Sequence, residues 1–351
     1  MELSSASKTD LKAWLKDKGY KPFIADQIFD WIYVKKEFDF SKMLNLKKDL
    51  REELEKSFRF PLIKLVKTEE CKTGEVTKFL WKLGDGKLVE SVLIRSGDRR
   101  TVCVSSQVGC NARCAFCASG KEGFFRNLSK SEIVEQILQI NLHLKKFEER
   151  VSHIVFMGMG EPLENYDNVV GAIRHLIDPE TLDLSSRKIT ISTVGIVDRI
   201  EQLKEEGLKV NLVLSLHAPN QHVRKKIIPY ARKYDIEDVL NAMENYTLRT
   251  KRDVTYEYIL IEGVNAELKH ADELALLLKG KQCTVNLIPY NPVDGFRMPR
   301  PSKEKIEAFR DRLQEKRIPV TWRYTKGKDI AAACGQLALK KEGGGLPIYS
   351  N

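Results

Sequence analysis

Along the first sixty residues, apolar positions recur at three- and four-residue spacing. Leu11, Trp14 and Leu15 form one such set, and Ile24, Ile28, Trp31 and Ile32 another. That period lays side chains along one stripe of a helix. From Met43 to Phe58, Leu44, Leu46, Leu50 and Leu54 punctuate a run rich in lysine and glutamate, which predicts another amphipathic helix, and Pro61 closes the block. Residues 1–60 therefore read as a helical domain. From about 62 to 95 the pattern shortens: Thr77–Trp81 and Leu88–Ile94 predict strands separated by the turn Gly84-Asp85-Gly86, in a β-rich linker 61–95.

Beyond Thr101 strand and helix patterns alternate. The expected strands are Val102–Ser106, His153–Met157, Lys188–Thr193, Val210–Leu216, Val254–Ile261 and Cys283–Pro289. Helical patterns separate them at Lys130–His143, Asn168–Ile177, Val197–Glu206, Ile236–Leu248 and Glu267–Lys279, and Ser129 with Glu132 reads as a capping box before the first. A helix Lys303–Lys316 and a short strand Val320–Arg323 follow. Repeated β-α units imply parallel strands with crossover helices, so residues 96–340 read as an α/β domain, a β/α barrel or an open sheet. The end, 341–351, with Gly343-Gly344-Gly345, reads as a flexible tail.

In such folds chemistry gathers at the carboxyl ends of the strands. The unusual residues fall there: a three-cysteine loop after the first expected strand, Gly158-Met-Gly160-Glu161-Pro162 after the second, Ser192 on the third, Ser215-Leu216-His217 on the fourth and Asn291 after the sixth. The two glycines are expected to let backbone approach a ligand, with Glu161 or nearby carbonyls receiving an ammonium group.

Composition narrows the class. The 351 residues are 42% hydrophobic and 31% charged, which fits a globular protein and leaves no apolar run long enough to span a membrane. The first ten residues lack the apolar core of a signal peptide, so a cytoplasmic location is expected. Seven cysteines, an odd number, argue against a disulfide scaffold. A net charge of +10 suggests a polyanionic partner, with Arg126, Arg224-Lys225-Lys226, Arg232-Lys233, Arg249, Lys251-Arg252 and Arg297 as phosphate contacts.

The sharpest chemical signal is Cys110-Asn-Ala-Arg-Cys114-Ala-Phe-Cys117. A structural zinc site takes four closed ligands. Three clustered thiolates suit instead an iron–sulfur cube whose fourth iron stays open to a small molecule. Zinc completed by a distant ligand, or plain thiols, are the alternatives the residues leave open.

Taken together the motifs resemble the RlmN family of 23S rRNA and tRNA adenine C2-methyltransferases, within the radical S-adenosylmethionine (SAM) superfamily. The resemblance rests on Cys103-Val-Ser-Ser-Gln-Val-Gly-Cys110, Cys114-Ala-Phe-Cys117, Gly123-Phe-Phe-Arg-Asn-Leu128, Phe156-Met-Gly-Met-Gly-Glu-Pro-Leu163, Ser215-Leu-His-Ala218, Asn286-Leu-Ile-Pro-Tyr-Asn-Pro292 and Ala331-Ala-Ala-Cys-Gly-Gln-Leu337. It implies a partial (β/α)6 barrel with an N-terminal helical domain for RNA recognition. By the same resemblance Cys110, Cys114 and Cys117 hold a [4Fe-4S] cluster. Gly160, Glu161, Ser192, Ser215, Leu216, His217 and Asn291 match SAM-binding positions, and Met157 a residue lining the active site.

The resemblance also implies the chemistry. Adenine C2 is an electron-poor ring carbon, so polar transfer from a sulfonium is implausible and a radical route is needed. Cys334 matches the methyl carrier, Cys103 the thiol that resolves the protein–RNA adduct as a disulfide, and Glu90 the proton acceptor. From residue type alone Glu90 reads as a solvent-facing strand residue, Cys103 and Cys334 as small buried side chains, and Cys71 and Cys283 match no functional position. Two SAM molecules per turnover, a flavodoxin- or ferredoxin-like electron donor, 23S rRNA and tRNA as substrates, and a monomer are implied. A sister family methylates C8 instead and gives antibiotic resistance; Pro162 after Gly160-Glu161 is the C2 family's residue. A non-catalytic RNA-binding protein with structural zinc is the rival of another class.

Overall fold

The structure is a computed structural model that describes residues 2–121, 123–293, 298–322 and 326–337. The expected tail, and Arg297 and Arg323, lie outside the described residues.

Helices α1 (Lys8–Asp17), α2 (Ile24–Phe29, continued by a wider turn Asp30–Val34) and α3 (Lys48–Ser57) form the N-terminal block. Ser7 and Asp10 close a capping box on α1. Leu11, Leu15, Ile28, Ile32, Leu50 and Leu54 are buried, as the helical stripe requires. The third helix is shorter than its pattern suggested. Asp39 accepts from Ser41 N–H at 2.9 Å and caps a tight turn at Phe40–Lys42, which leaves Leu44 exposed before α3 begins.

Strands β1 (Lys64–Glu70), β2 (Val76–Lys82) and β3 (Leu88–Ser96) run antiparallel into β4 (Arg99–Cys103). The stretch expected as a linker is thus an extension of the main sheet. It is fixed there by α4 (Lys130–Lys145), reached through a small hairpin of β5 (Gln107–Gly109) and β6 (Phe124–Asn127). Trp81 Nε1 donates to Ser91 Oγ at 3.0 Å, Ser91 Oγ to Gln136 Oε1 at 2.6 Å, and Gln136 Nε2 to the Ser105 carbonyl at 3.0 Å. Phe79 stacks on Trp81 and meets His143 edge-on. The Ser129–Glu132 capping box starts α4 as expected.

The chain then alternates β7 (His153–Phe156), α5 (Tyr166–Ile177), β8 (Ile189–Thr193), α6 (Val197–Glu205), β9 (Asn211–Ser215), α7 (Gln221–Ile227), α8 (Ile236–Thr250), β10 (Val254–Leu260), α9 (Leu268–Leu277), β11 (Cys283–Pro289), α10 (Lys303–Glu315) and β12 (Val320–Trp322). The sheet order is β1-β2-β3-β4-β7-β8-β9-β10-β11-β12, parallel from β4 onward. Six β/α units, beginning at β4, make the partial barrel. Helix α7 escaped the pattern because seven residues are too few to establish a period.

The N-terminal helices share the barrel's core. Tyr33 Oη and His175 Nε2 meet at 2.7 Å, Lys130 Nζ donates to the Ser5 carbonyl at 2.8 Å, and Glu135 Oε2 accepts from Leu62 and Ile63 N–H at 2.6 and 3.0 Å. Among the described residues no helix is long and apolar enough to cross a membrane.

Candidate active site

The first expected strand stops at Cys103, three residues early, because the next residues turn their backbone sideways. Ser105 N–H donates to Gln136 Oε1 at 2.9 Å, and Ser106 and Gln107 N–H both donate to the Met159 carbonyl, at 2.8 and 3.1 Å. This carries the chain into the β5–β6 hairpin, which clasps the cysteine loop. Cys110 N–H donates to the Gly123 carbonyl at 2.9 Å; a side chain at Gly109 would sit 2.0 Å from that oxygen. Three further bonds stitch the loop to distant chain. Ala115 N–H donates to Ile227 O at 2.9 Å, Ala118 N–H to Gly335 O at 2.8 Å, and Ser119 Oγ to Leu337 O at 2.7 Å.

Cys110, Cys114 and Cys117 line one cavity at the carboxyl ends of the strands, together with Gly160, Glu161, Ser192, Ser215, His217 and Cys334. Burial pushes the Cys110 thiol up to about 12, with the Cys117 charge adding to it. The other two thiols are raised as well, Cys114 by burial and then by both neighbouring cysteines, Cys117 by burial. Buried sulfurs that repel one another's charge call for a cationic guest. Among the described residues no group of three His, Cys, Asp or Glu side chains converges to hold a single metal ion.

Gly158 and Gly160 line the cavity and also pack closely against the loop after β4. A side chain at Gly158 would lie 2.6 Å from the Val104 carbonyl oxygen, and one at Gly160 2.6 Å from Gln107 Cβ. Their missing side chains thus admit the loop after β4 at the cavity wall. Gly160 also has φ +107, which disfavours any side chain. Gly160→Ala is expected to destabilise the fold by about 1–3 kcal/mol through overpacking. Urea unfolding of the apoprotein checks this, and an unchanged midpoint would contradict it.

Glu161 braces two rim loops. Its Oε1 accepts from Leu163 N–H at 3.0 Å and its Oε2 from Val194 N–H at 2.9 Å, while burial raises its pKa to about 7. Ser192 and Ser215 face each other with hydroxyl oxygens 3.4 Å apart. His217 takes a left-handed backbone, φ 56, and packs edge-on against Phe116. Its Nδ1 accepts from Ile259 N–H at 3.1 Å, and burial, with Arg224 nearby, lowers its pKa to about 3. The ring is therefore neutral with its proton on Nε2, a fixed hydrogen-bond donor at the cavity.

Two expected binding residues are buried and do not line that cavity. Leu216 is fully buried, and only its neighbours line the cavity. Asn291 is buried, donating from Nδ2 to the Cys334 carbonyl at 3.3 Å and accepting from Arg300 at 3.4 Å. Glu257, on β10, lines the cavity but was not anticipated. A carboxylate inside the apolar strand Val-Thr-Tyr-Glu257-Tyr-Ile-Leu was the available signal.

An adjoining cavity is lined by Cys103, Cys117, Met157, Cys334, Val92 and Ile94, among others. Cys334 thus borders both spaces, and it is exposed rather than buried. Cys103 is buried opposite Val92. Glu90 lies two residues before Val92, on the same face of β3. It is buried, not solvent-facing, and pairs with Lys78 Nζ at 3.2 Å. Strand β3 is covered on both faces, by α4 and by the barrel interior, so the usual alternation fails.

Several expected phosphate contacts are committed elsewhere. Arg126 bridges Asp85 and Glu132, Arg249 pairs with Glu205 at 3.0 Å, and Arg224 is fully buried. Lys225, Lys226, Arg232 and Lys233 are exposed. Cys71 and Cys283 are buried and line neither cavity.

Comparison with known proteins matches residues 104–275 to the radical SAM superfamily and residues 1–59 to the ribosomal RNA large subunit methyltransferase N-terminal domain. The chain is 59% identical over 350 residues to the probable dual-specificity RNA methyltransferase RlmN 2 of Protochlamydia amoebophila, covering 99% of this chain and 98% of that one. It is 46% identical to the probable RlmN of Thermotoga maritima, over 97% of this chain and 98% of the other. A radical SAM methyltransferase structure from Sphaerobacter thermophilus superposes with TM-score 0.94 at 40% identity, over 96% of this chain and 99% of that chain. A radical SAM domain implies a [4Fe-4S] cluster and SAM, and the cavity's donor set fits both. Three buried thiols would hold the cluster, and two serine hydroxyls and a neutral histidine offer hydrogen bonds to an organic ligand.

Proposed function

The chain belongs to the RlmN family of radical SAM RNA methyltransferases, and on that premise we propose that it methylates C2 of adenine in 23S rRNA and in tRNA, in the cytoplasm, through a methyl group carried on Cys334. The carrying observation is that Cys334 borders both the cavity walled by the three cysteines and the one that holds Cys103.

The side chains divide the work as follows. The Cys334 thiolate takes a methyl group from one SAM, forming an S–C bond as the sulfonium C–S bond breaks. Held by Cys110, Cys114 and Cys117, a cluster with a second SAM would supply the one-electron chemistry by which that methyl group gives up one hydrogen and bonds to C2. Glu90 receives the C2 proton; Lys78 beside it steadies the carboxylate that does so. The Cys103 thiolate then attacks Cys334 Sγ. A disulfide forms, the S–CH2 bond breaks, and the released carbon takes up a proton to become the methyl group. An external thiol must reduce the disulfide, and a flavodoxin- or ferredoxin-like donor feeds electrons to the cluster. His217, Ser192 and Ser215 orient SAM; Glu161 and Asn291 hold the loops that do so. The target base must leave its stack to reach Cys334, and exposed Lys225, Lys226, Arg232 and Lys233 are the groups placed to meet phosphate.

Expression in a host that lacks its own enzyme, followed by nucleoside mass spectrometry of 23S rRNA and tRNA, tests the substrate. 2-Methyladenosine in both RNAs is expected. 8-Methyladenosine, or no methylated adenine at all from an iron-loaded protein, would contradict the reading.

A further inference from the structure

Helix α7 follows the Ser215-Leu216-His217 rim directly, with Asn220 capping its start by accepting from Val223 N–H at 2.9 Å. Of its three consecutive basic residues, Lys225 and Lys226 are exposed while Arg224 is fully buried. Arg224 Nε donates to the Leu216 carbonyl at 3.3 Å, and Nη2 to the Val194 carbonyl at 2.5 Å. Val194 lines the cavity, and Leu216 lies between two residues that do. The last residue of the same helix, Ile227, accepts from Ala115 N–H inside the cysteine loop. Arg224 Nη1 is buried with no hydrogen-bond partner, and no carboxylate among the described residues pairs with the guanidinium.

A buried cation held only by two carbonyls is unfavourable unless an anion shares its site. The ionisable groups that interact with it are Cys114 and His217, both at the cavity. Burial lowers the Arg224 pKa only to about 10, so the group stays cationic at neutral pH. The three thiolates that hold a cluster supply negative charge where Arg224 has positive charge and a spare donor.

We propose that Arg224 is the fixed counter-charge of the cysteine-held cluster, a positioning residue that favours the cluster's reduced form while it ties the rim loops after β8 and β9 together. Reduction adds one electron, and so one negative charge, beside a guanidinium that is already in place. Net charge and hydrogen bonds to sulfur are the protein's means of setting such a potential. The inference rests on the cluster reading above.

The test uses anaerobically reconstituted full-length wild type, Arg224→Lys and Arg224→Met. Iron and sulfide content is measured first. The reduced fraction is then followed by electron paramagnetic resonance at fixed ambient potential. Arg224→Met is expected to load its cluster but show a reduced-to-oxidised ratio about tenfold lower, about 59 mV for one electron. Arg224→Lys, which keeps the charge, is expected to remain within about threefold of wild type. A Met variant that loads iron with an unchanged ratio would overturn the inference. Should that variant fail to fold, the Lys variant decides: a tenfold drop there overturns the proposal, and a ratio near wild type supports it. Wild-type protein that binds no iron or sulfide would sink the cluster reading, and this inference with it.

Discussion

Cys334→Ala is expected to bring RNA methylation down by roughly 10⁴-fold or more, as removal of a covalent nucleophile does, while the protein folds and loads iron normally. Cys334 is exposed at the meeting of two cavities and contributes nothing to the core, so its loss should scarcely alter stability. The loop that presents it is fixed through backbone carbonyls that alanine preserves: Gly335 O accepts from Ala118 N–H, Leu337 O from Ser119 Oγ, and the Cys334 carbonyl from Asn291 Nδ2. The defect must therefore be chemical. Iron and sulfide content equal to wild type, with no methylated adenine formed, is the expected pair of results. A variant that still methylates would show that the methyl group travels by another route.

Cys103→Ala is expected to fail at a later step and in a different way. Methyl transfer to Cys334 and bonding to C2 do not need Cys103, but breaking the S–CH2 bond does. The variant should accumulate RNA joined covalently to protein through Cys334, seen as a slow band that survives denaturing electrophoresis and disappears on nuclease digestion. Free methylated RNA should fall by roughly 10²-fold or more. Cys103 is a small buried side chain on β4, so truncation to alanine leaves the strand pairing with Val92 in place. Undiminished release of methylated RNA with no covalent band would remove Cys103 from the mechanism.

The contrast between these two cysteines and the rest of the site shows what a chain reveals before it folds. Cys110, Cys114 and Cys117 sit within one loop, so their spacing carries their meaning directly, and the periodic helices and strands locate that loop at the barrel rim. The order of β/α units follows from hydrophobic alternation for the same local reason. Glu90 misled because alternation presumes a sheet with one wet face, and β3 is covered on both. The segment 61–95 looked like a linker because nothing local tells that Ser91 will reach Gln136, 45 residues on. Gly158 and Gly160 line the cavity as the motif suggested, but their close packing against Val104 and Gln107 on another loop could not be read locally. Arg224 looked like one more surface charge within a basic triplet; only packing shows that it points inward. Glu257 was visible as an acid in an apolar strand but had no neighbour in sequence to give it a purpose.

The central claim is that the methyl carbon passes through Cys334 and loses one hydrogen there. It is tested most directly by loading Cys334 with a trideuterated methyl group and running a single turnover with unlabelled SAM on an adenine-containing RNA fragment. Mass spectrometry of the product nucleoside should find a methyl group with two deuteriums and one hydrogen taken from solvent. A methyl group carrying three deuteriums, or none, would contradict the account.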